Sequence, residues 1–230
     1  RTCRDSSTSR RRRMSRFGRF LPGERRQRQL SRAMELLLVG LLFIGIDRGS
    51  TGIIVNTGVA LAVVQLPAIL ERDFGLPMDT RLTLWITAAA FLHALGVVGI
   101  PGIGRSFYTS LWWWDHVTHS LSASVVAAAG YATVRAVDIH SEDVSIPPRS
   151  FGFVILIFVL AFGVLWELLE FAIAVAADEI GTATVLTQYG AEDTLKDLTF
   201  NSIGGLIVAV WGGVYLTDLS EAVGEKLKLG

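Results

Sequence analysis

Residues 151–176 read FGFVILIFVLAFGVLWELLEFAIAVA, with Glu167 and Glu170 the only charges among 26 positions. A helix rises about 1.5 Å per residue, so about 20 apolar residues cross ~30 Å of hydrocarbon, and this stretch predicts a transmembrane helix. A charged side chain near the bilayer centre costs about 3 kcal/mol unless it faces protein or a wet cavity. The two glutamates are therefore expected to point inward. Their i,i+3 spacing puts both on one face of the helix.

Working outward, further apolar segments lie at 33–47, 51–70, 82–101, 114–136 and 195–217. The expected fold is all-α: a polytopic membrane bundle of about six transmembrane helices. Asp47 and Arg48 interrupt the apolar stretch from Met34 to Leu70, and a hairpin turning at Asp47-Arg48-Gly49-Ser50 keeps both charges at a surface. Pro77 and Pro147-Pro148 fall between segments, where a missing N–H costs nothing, and Pro101-Gly102 ends the third. Gly204-Gly205 and Gly212-Gly213 in the last segment are expected to let neighbouring helices approach closely.

Of the 230 residues, 51% are hydrophobic and 18% charged, and the mean hydropathy is +0.47. The formal net charge of zero is a cancellation. Residues 1–32 hold twelve arginines against Asp5 and Glu24, giving +10, and residues 33–230 carry nine bases against nineteen acids, giving −10. The Arg- and Ser-rich stretch 1–32 is expected to be a disordered cytoplasmic tail that sets topology and meets anionic lipids, without binding nucleic acid. Met14 is a plausible true start. Residues 33–217 would form the six-helix domain and 218–230 a second cytoplasmic tail. Six spans put both termini inside a cell membrane, and the inner loops then carry Arg72, Arg81, Arg135 and Arg149, against Arg48, Arg105 and Lys196 outside. The single cysteine, Cys3, excludes a disulfide framework. Nothing matches a Walker loop, a nucleophile elbow, a dinucleotide fingerprint or a His-Glu-x-x-His zinc signature.

Ionisable and amide residues left inside the segments form a short set: His93, Asp115, His116, His119, Glu167, Glu170, Asp193, Asp197 and Asn201. At about 1.5 Å per residue all fall in the outer half of the bilayer, although four helices running in alternating directions supply them. Asp115 and His119 are i,i+4, and Asp193, Asp197 and Asn201 repeat at i,i+4,i+8, so each set makes one stripe. Asp115 with His119 is the expected inward pair. Carboxylates and imidazoles gathered from several helices suit a divalent metal in a bundle core, and equally suit general acid–base work. Metal ligands would come from Asp115, His119, Glu170, Asp193 and Asp197, with Glu167, Glu170 and His119 as catalytic groups and His93, Asn201 and Trp114 contacting the ligand. Trp112-Trp113-Trp114, with Tyr108 before them, reads as an interfacial aromatic belt. His140 reads as a solvated loop residue.

The sets Trp114-Asp115-His116-Val117-Thr118-His119, Trp166-Glu167-Leu168-Leu169-Glu170, and Asp193, Asp197 and Asn201 ahead of Gly204 resemble the polar signature of the YjdF-like integral membrane proteins. More distantly they resemble the VanZ-like family. The resemblance covers roughly residues 82–215 and leaves out the first two segments. It implies a His-bearing helix, a Glu-bearing helix and a final helix with spaced Asp and Asn, and through the VanZ-like proteins, linked to glycopeptide resistance, it implies work at the cell envelope. It supplies no reaction. Three classes of function stay open: a pocket for a divalent cation or an envelope lipid, used for metal-assisted hydrolysis or transfer; an ion- or proton-coupled transporter; and a membrane scaffold whose polar cluster is structural.

Overall fold

The computed structural model describes residues 23–99, 104–141, 143–186 and 190–227, and among them no strand forms beyond one isolated bridge between Gly99 and Ser106. The expected tail residues 1–22 and the Pro101-Gly102 break lie outside the described residues. Nine helices follow in order among those described: α1 Glu24–Asp47, α2 Thr51–Val63, α3 Leu66–Phe74, α4 Thr80–Gly96, α5 Phe107–Ser110, α6 Trp114–His140, α7 Pro148–Glu179, α8 Ala191–Tyr215 and α9 Thr217–Leu227.

The hairpin between α1 and α2 closes as the sequence indicates. Gly49 takes a left-handed φ of 62°, and the amides of Ser50 and Gly49 bond back to the carbonyls of Gly45 and Ile46 at 2.9 and 3.1 Å, a Schellman stop. Ser50 then caps α2 by accepting from the Ile53 amide. The helices pack closely here because a Cβ on Gly45 would come within 2.9 Å of the Ile53 side chain.

Four helical stretches are long and apolar enough to cross a membrane: Glu24–Asp47, Thr51–Phe74, Trp114–His140 and Pro148–Glu179. A fifth arises if Ala191–Gly213 and Thr217–Lys226, bent by 87°, count as one span. Every one of the six expected segments holds a helix. The third is shorter than expected, however: α4 has 17 residues, about 25 Å, and stops at Gly96, whose missing Cβ leaves room for the Tyr108 ring.

Two boundaries expected from sequence are corrected. Residues 24–32 are helical, because Arg, Glu and Gln are good helix formers and Gln27 and Ser31 turn inward while the arginines stay exposed. The C-terminal stretch likewise is no loose tail through residue 227. In α9, Ser220 is fully buried and Gly224 sits where a Cβ would meet the His140 ring, so the helix packs on α6. His140 is accordingly the last residue of α6, bonded through Nδ1 to the Ala136 carbonyl, and not a loop residue.

α6 is the hub, packing against α4, α7, α8 and α9. Its inner face is small, with Ala123, Ala127, Ala128 and Gly130 buried, and Gly204 of α8 approaches until a Cβ there would lie 2.2 Å from the Ser120 carbonyl. Gly205 and Gly212 pack likewise on Val159 and Tyr131, the packing role expected of that glycine-rich helix. A second core of Leu38, Ala60, Val64 and Ala94 joins α1, α2 and α4. Outward faces are apolar, Phe43 and Leu165 each being about two-thirds exposed, as a lipid-facing surface demands.

Candidate functional site

The polar residues meet where the N-terminal ends of α6 and α8 lie beside the C-terminal ends of α4 and α7. The Asp115-to-His119 turn of α6 places both side chains on the face toward α8, with His119 Nε2 3.4 Å from Asp115 Oδ1 and 3.6 Å from Asp197 Oδ1. Ligand-type atoms of Asp115, His119 and Asp197 all lie within 4.8 Å of one another. Asp197 is buried, and its Oδ1 has no hydrogen-bond donor. A buried carboxylate oxygen without a donor is costly, so it calls for a positive partner. His116 turns away and stacks on Phe200 at 4.2 Å, which leaves Asp115 with His119 as the inward pair.

These groups open into a polar cavity of about 210 Å³ that His93, Glu170 and Asp193 also line. Glu170 is held there by the Trp166 indole, which donates to its Oε1 at 3.1 Å. Glu167, one turn deeper, is buried and does not line this cavity; its Oε2 accepts from Thr194 Oγ1 at 2.9 Å, tying α7 to α8. Asn201 lies a turn below Asp197 beside Gly163, where a Cβ would come 2.9 Å from Asn201 Nδ2. It lines a second, larger cavity. Trp114 is buried with its ring 4.7 Å from Phe107 and 5.6 Å from Trp113, and it lines neither cavity. The geometry thus gathers six of the expected residues, namely His93, Asp115, His119, Glu170, Asp193 and Asp197, into one space.

Two contributors escaped the sequence reading. Tyr108 belongs to the cavity wall, its hydroxyl 3.0 Å from His93 Nδ1, and burial raises its pKa well above the ordinary tyrosine value, so it stays a neutral hydrogen-bonding group. The signal for it was Gly96, whose missing side chain admits the ring. Asn56 of α2 donates to the carbonyls of Gly52 and Val185, each at 2.8 Å, and lines both cavities. An amide in an otherwise apolar helix was the visible cue there.

Among the described residues lining the polar cavity there is no lysine or arginine. Lys196 instead pairs with Glu192 at 2.8 Å on the exposed side of α8. With carboxylates and imidazoles as its ionisable lining, the arrangement suits a cation.

No curated protein and no solved structure matches this chain. A family model described as "Predicted membrane protein (DUF2238)" matches residues 30–218. The match begins within α1, so the first two segments, which the resemblance to YjdF-like proteins left out, fall inside the family as well. With well over half of its length covered, and with helices to suit, the chain belongs to this family of membrane proteins, in which the YjdF-like proteins fall.

Proposed function

We propose that this protein binds a divalent cation between α6 and α8, with Asp115, His119 and Asp197 as ligands. The observation that carries the reading is the buried Asp197 Oδ1, which has no hydrogen-bond donor and faces His119 and Asp115 within ligand distance of a shared centre. Two carboxylates and an imidazole suit zinc or manganese. Glu170 and Asp193 line the same cavity, where they would serve a bound ligand. A cation there would act as a Lewis acid, and Glu170 is the better base of the two glutamates because it reaches the cavity and Glu167 does not. This supports metal-assisted hydrolysis or transfer in preference to ion-coupled transport. Below Asn201 the larger cavity is walled by Val125, Val126 and Val159, which gives an ion no polar route onward.

The site is read as facing the extracytoplasmic side of a cell membrane. Arg25, Arg26, Arg28 and Arg32 begin α1, and Ser50, in the turn beyond its far end, lines the polar cavity, with about 22 Å of helix between Arg32 and Asp47. Arg72, Arg81, Arg135 and Arg149 sit at the arginine-rich end too, in keeping with the positive-inside bias. An envelope role in the manner of the VanZ-like proteins fits that orientation.

The test is metal analysis of detergent-purified protein loaded with zinc or manganese. Wild type should retain about one ion per chain, and Asp197→Asn should lose it. A cation at 100 times its Kd should also raise unfolding stability by about 2.7 kcal/mol in wild type and not in the variant. Absence of bound metal in wild type under every loading condition overturns the proposal.

A further inference from the structure

The second cavity is about 530 Å³ and almost wholly apolar, and it joins the polar one: Asn56, His93, His119, Val185 and Leu186 line both. It runs down between α2 and α7, backed by α4 and α6. Along α7 its lining extends from Ile173 to Val159, fourteen residues or about 21 Å, beyond the depth of one leaflet of a ~30 Å hydrocarbon core. The helices flanking it do not pack extensively on each other, and Val59 and Phe162 at its rim are 58% and 45% exposed. The groove therefore opens sideways into the bilayer, with its acidic end at the level of His119.

We infer that this groove takes one acyl chain of an amine-bearing phospholipid, whose headgroup reaches the polar cavity. The inference rests on the cation-site reading given above. With Asp115, His119 and Asp197 around the cation, a phosphate would ride on the metal, since no lysine or arginine lines the cavity to receive it. The ammonium would then lie toward Glu170 and Asp193, the remaining carboxylates of that wall. An anionic head without an amine would offer those two acids no positive group. Lipid already surrounds the protein, so burying methylenes in such a groove discriminates little and selectivity has to come from the head. Entry from the side is what an amphiphile requires, because its chain never has to leave hydrocarbon.

Val126 lines the groove and not the polar cavity, so Val126→Phe blocks the chain and leaves the cation ligands in place. The experiment is native mass spectrometry of zinc-loaded, delipidated protein titrated with phosphatidylethanolamine or phosphatidylglycerol of matched chains. Wild type should hold one phosphatidylethanolamine at least tenfold more tightly than phosphatidylglycerol, and chelation should abolish the preference. Val126→Phe should keep its zinc and lose the lipid by a similar factor. Equal retention by Val126→Phe, or no preference between the two lipids with zinc bound, overturns the lipid proposal while leaving the cation site standing. Wild type that binds no zinc overturns both, and the zinc measurement on each sample separates the cases. Should Val126→Phe fail to fold, Ser122→Phe, one turn higher on the same wall, replaces it under the same readouts.

Discussion

Thr194 shows how the bundle tolerates a carboxylate inside hydrocarbon. Its hydroxyl donates to Glu167 Oε2 from the neighbouring helix, while the other carboxyl oxygen is buried with no donor. Replacing it by the near-isosteric valine removes that bond and leaves both oxygens poorly satisfied. Thr194→Val should cost about 1–3 kcal/mol in thermal unfolding yet leave cation stoichiometry at wild-type level, because Glu167 does not line the polar cavity. Glycines separate just as cleanly. A Cβ at Gly204 would strike the Ser120 carbonyl at 2.2 Å, whereas nothing lies within 4 Å of one at Gly58. Gly204→Ala should therefore destabilise by about 1–3 kcal/mol and Gly58→Ala by none, measured as midpoints in one detergent. The polar cluster was legible residue by residue because lipid leaves so few reasons for Asp115, His119 or Asp197 to be there. Trp114 misled for the same cause in reverse: aromatic residues serve both interface and core, and sequence alone does not say that its ring packs on Phe107.

Among the elements, α9 departs furthest from expectation. Its composition is polar enough to pass for a tail, but Ser220 and Gly224, four residues apart on one face, are buried, Gly224 against the His140 ring of α6. That pattern is short and contains a glycine and a serine, so hydrophobic periodicity alone does not reveal it. Gly224→Leu would drive a side chain into the His140 ring, 2.1 Å from where its Cβ must go, and should free α9. Limited proteolysis should then cut near residue 217 at least several times faster than in wild type. Unchanged protection would mean that α9 is held from elsewhere. α4 erred in the other direction. Apolarity continues past Gly96, but the helix ends there and the following loop closes on itself through the Gly99–Ser106 bridge, a pairing that a window of hydropathy cannot register.

For the whole molecule, the charge asymmetry becomes a statement about which way up it sits. The arginine-rich start of α1 shares one end with Arg72, Arg81, Arg135 and Arg149, and the acid-lined cavity occupies the other. With Cys3 replaced by serine, a cysteine at Asp178, beyond the cavity end of α7, should react with an impermeant thiol reagent on intact cells. One at Asp73, in the exposed last turn of α3, should react only after permeabilisation. The reverse pattern would invert the topology and place the cavity in the cytoplasm. Segment order was readable from the apolar runs, although among the described residues only four helical stretches, or five with the bent pair, meet the length that hydrocarbon imposes. The joining of the two cavities was not, since it depends on α2 and α7 standing apart, and spacing between helices leaves no trace in the pattern of either one.

Where the two cavities meet, the amide of Asn56 on α2 reaches to the Val185 carbonyl in the loop that follows α7. A ligand that leaves must pass beside this link, so the bond acts on time and not on affinity: it lengthens residence. Asn56→Ala should quicken release of bound zinc to a chelator, followed by stopped flow, while the number of ions held at equilibrium stays at one.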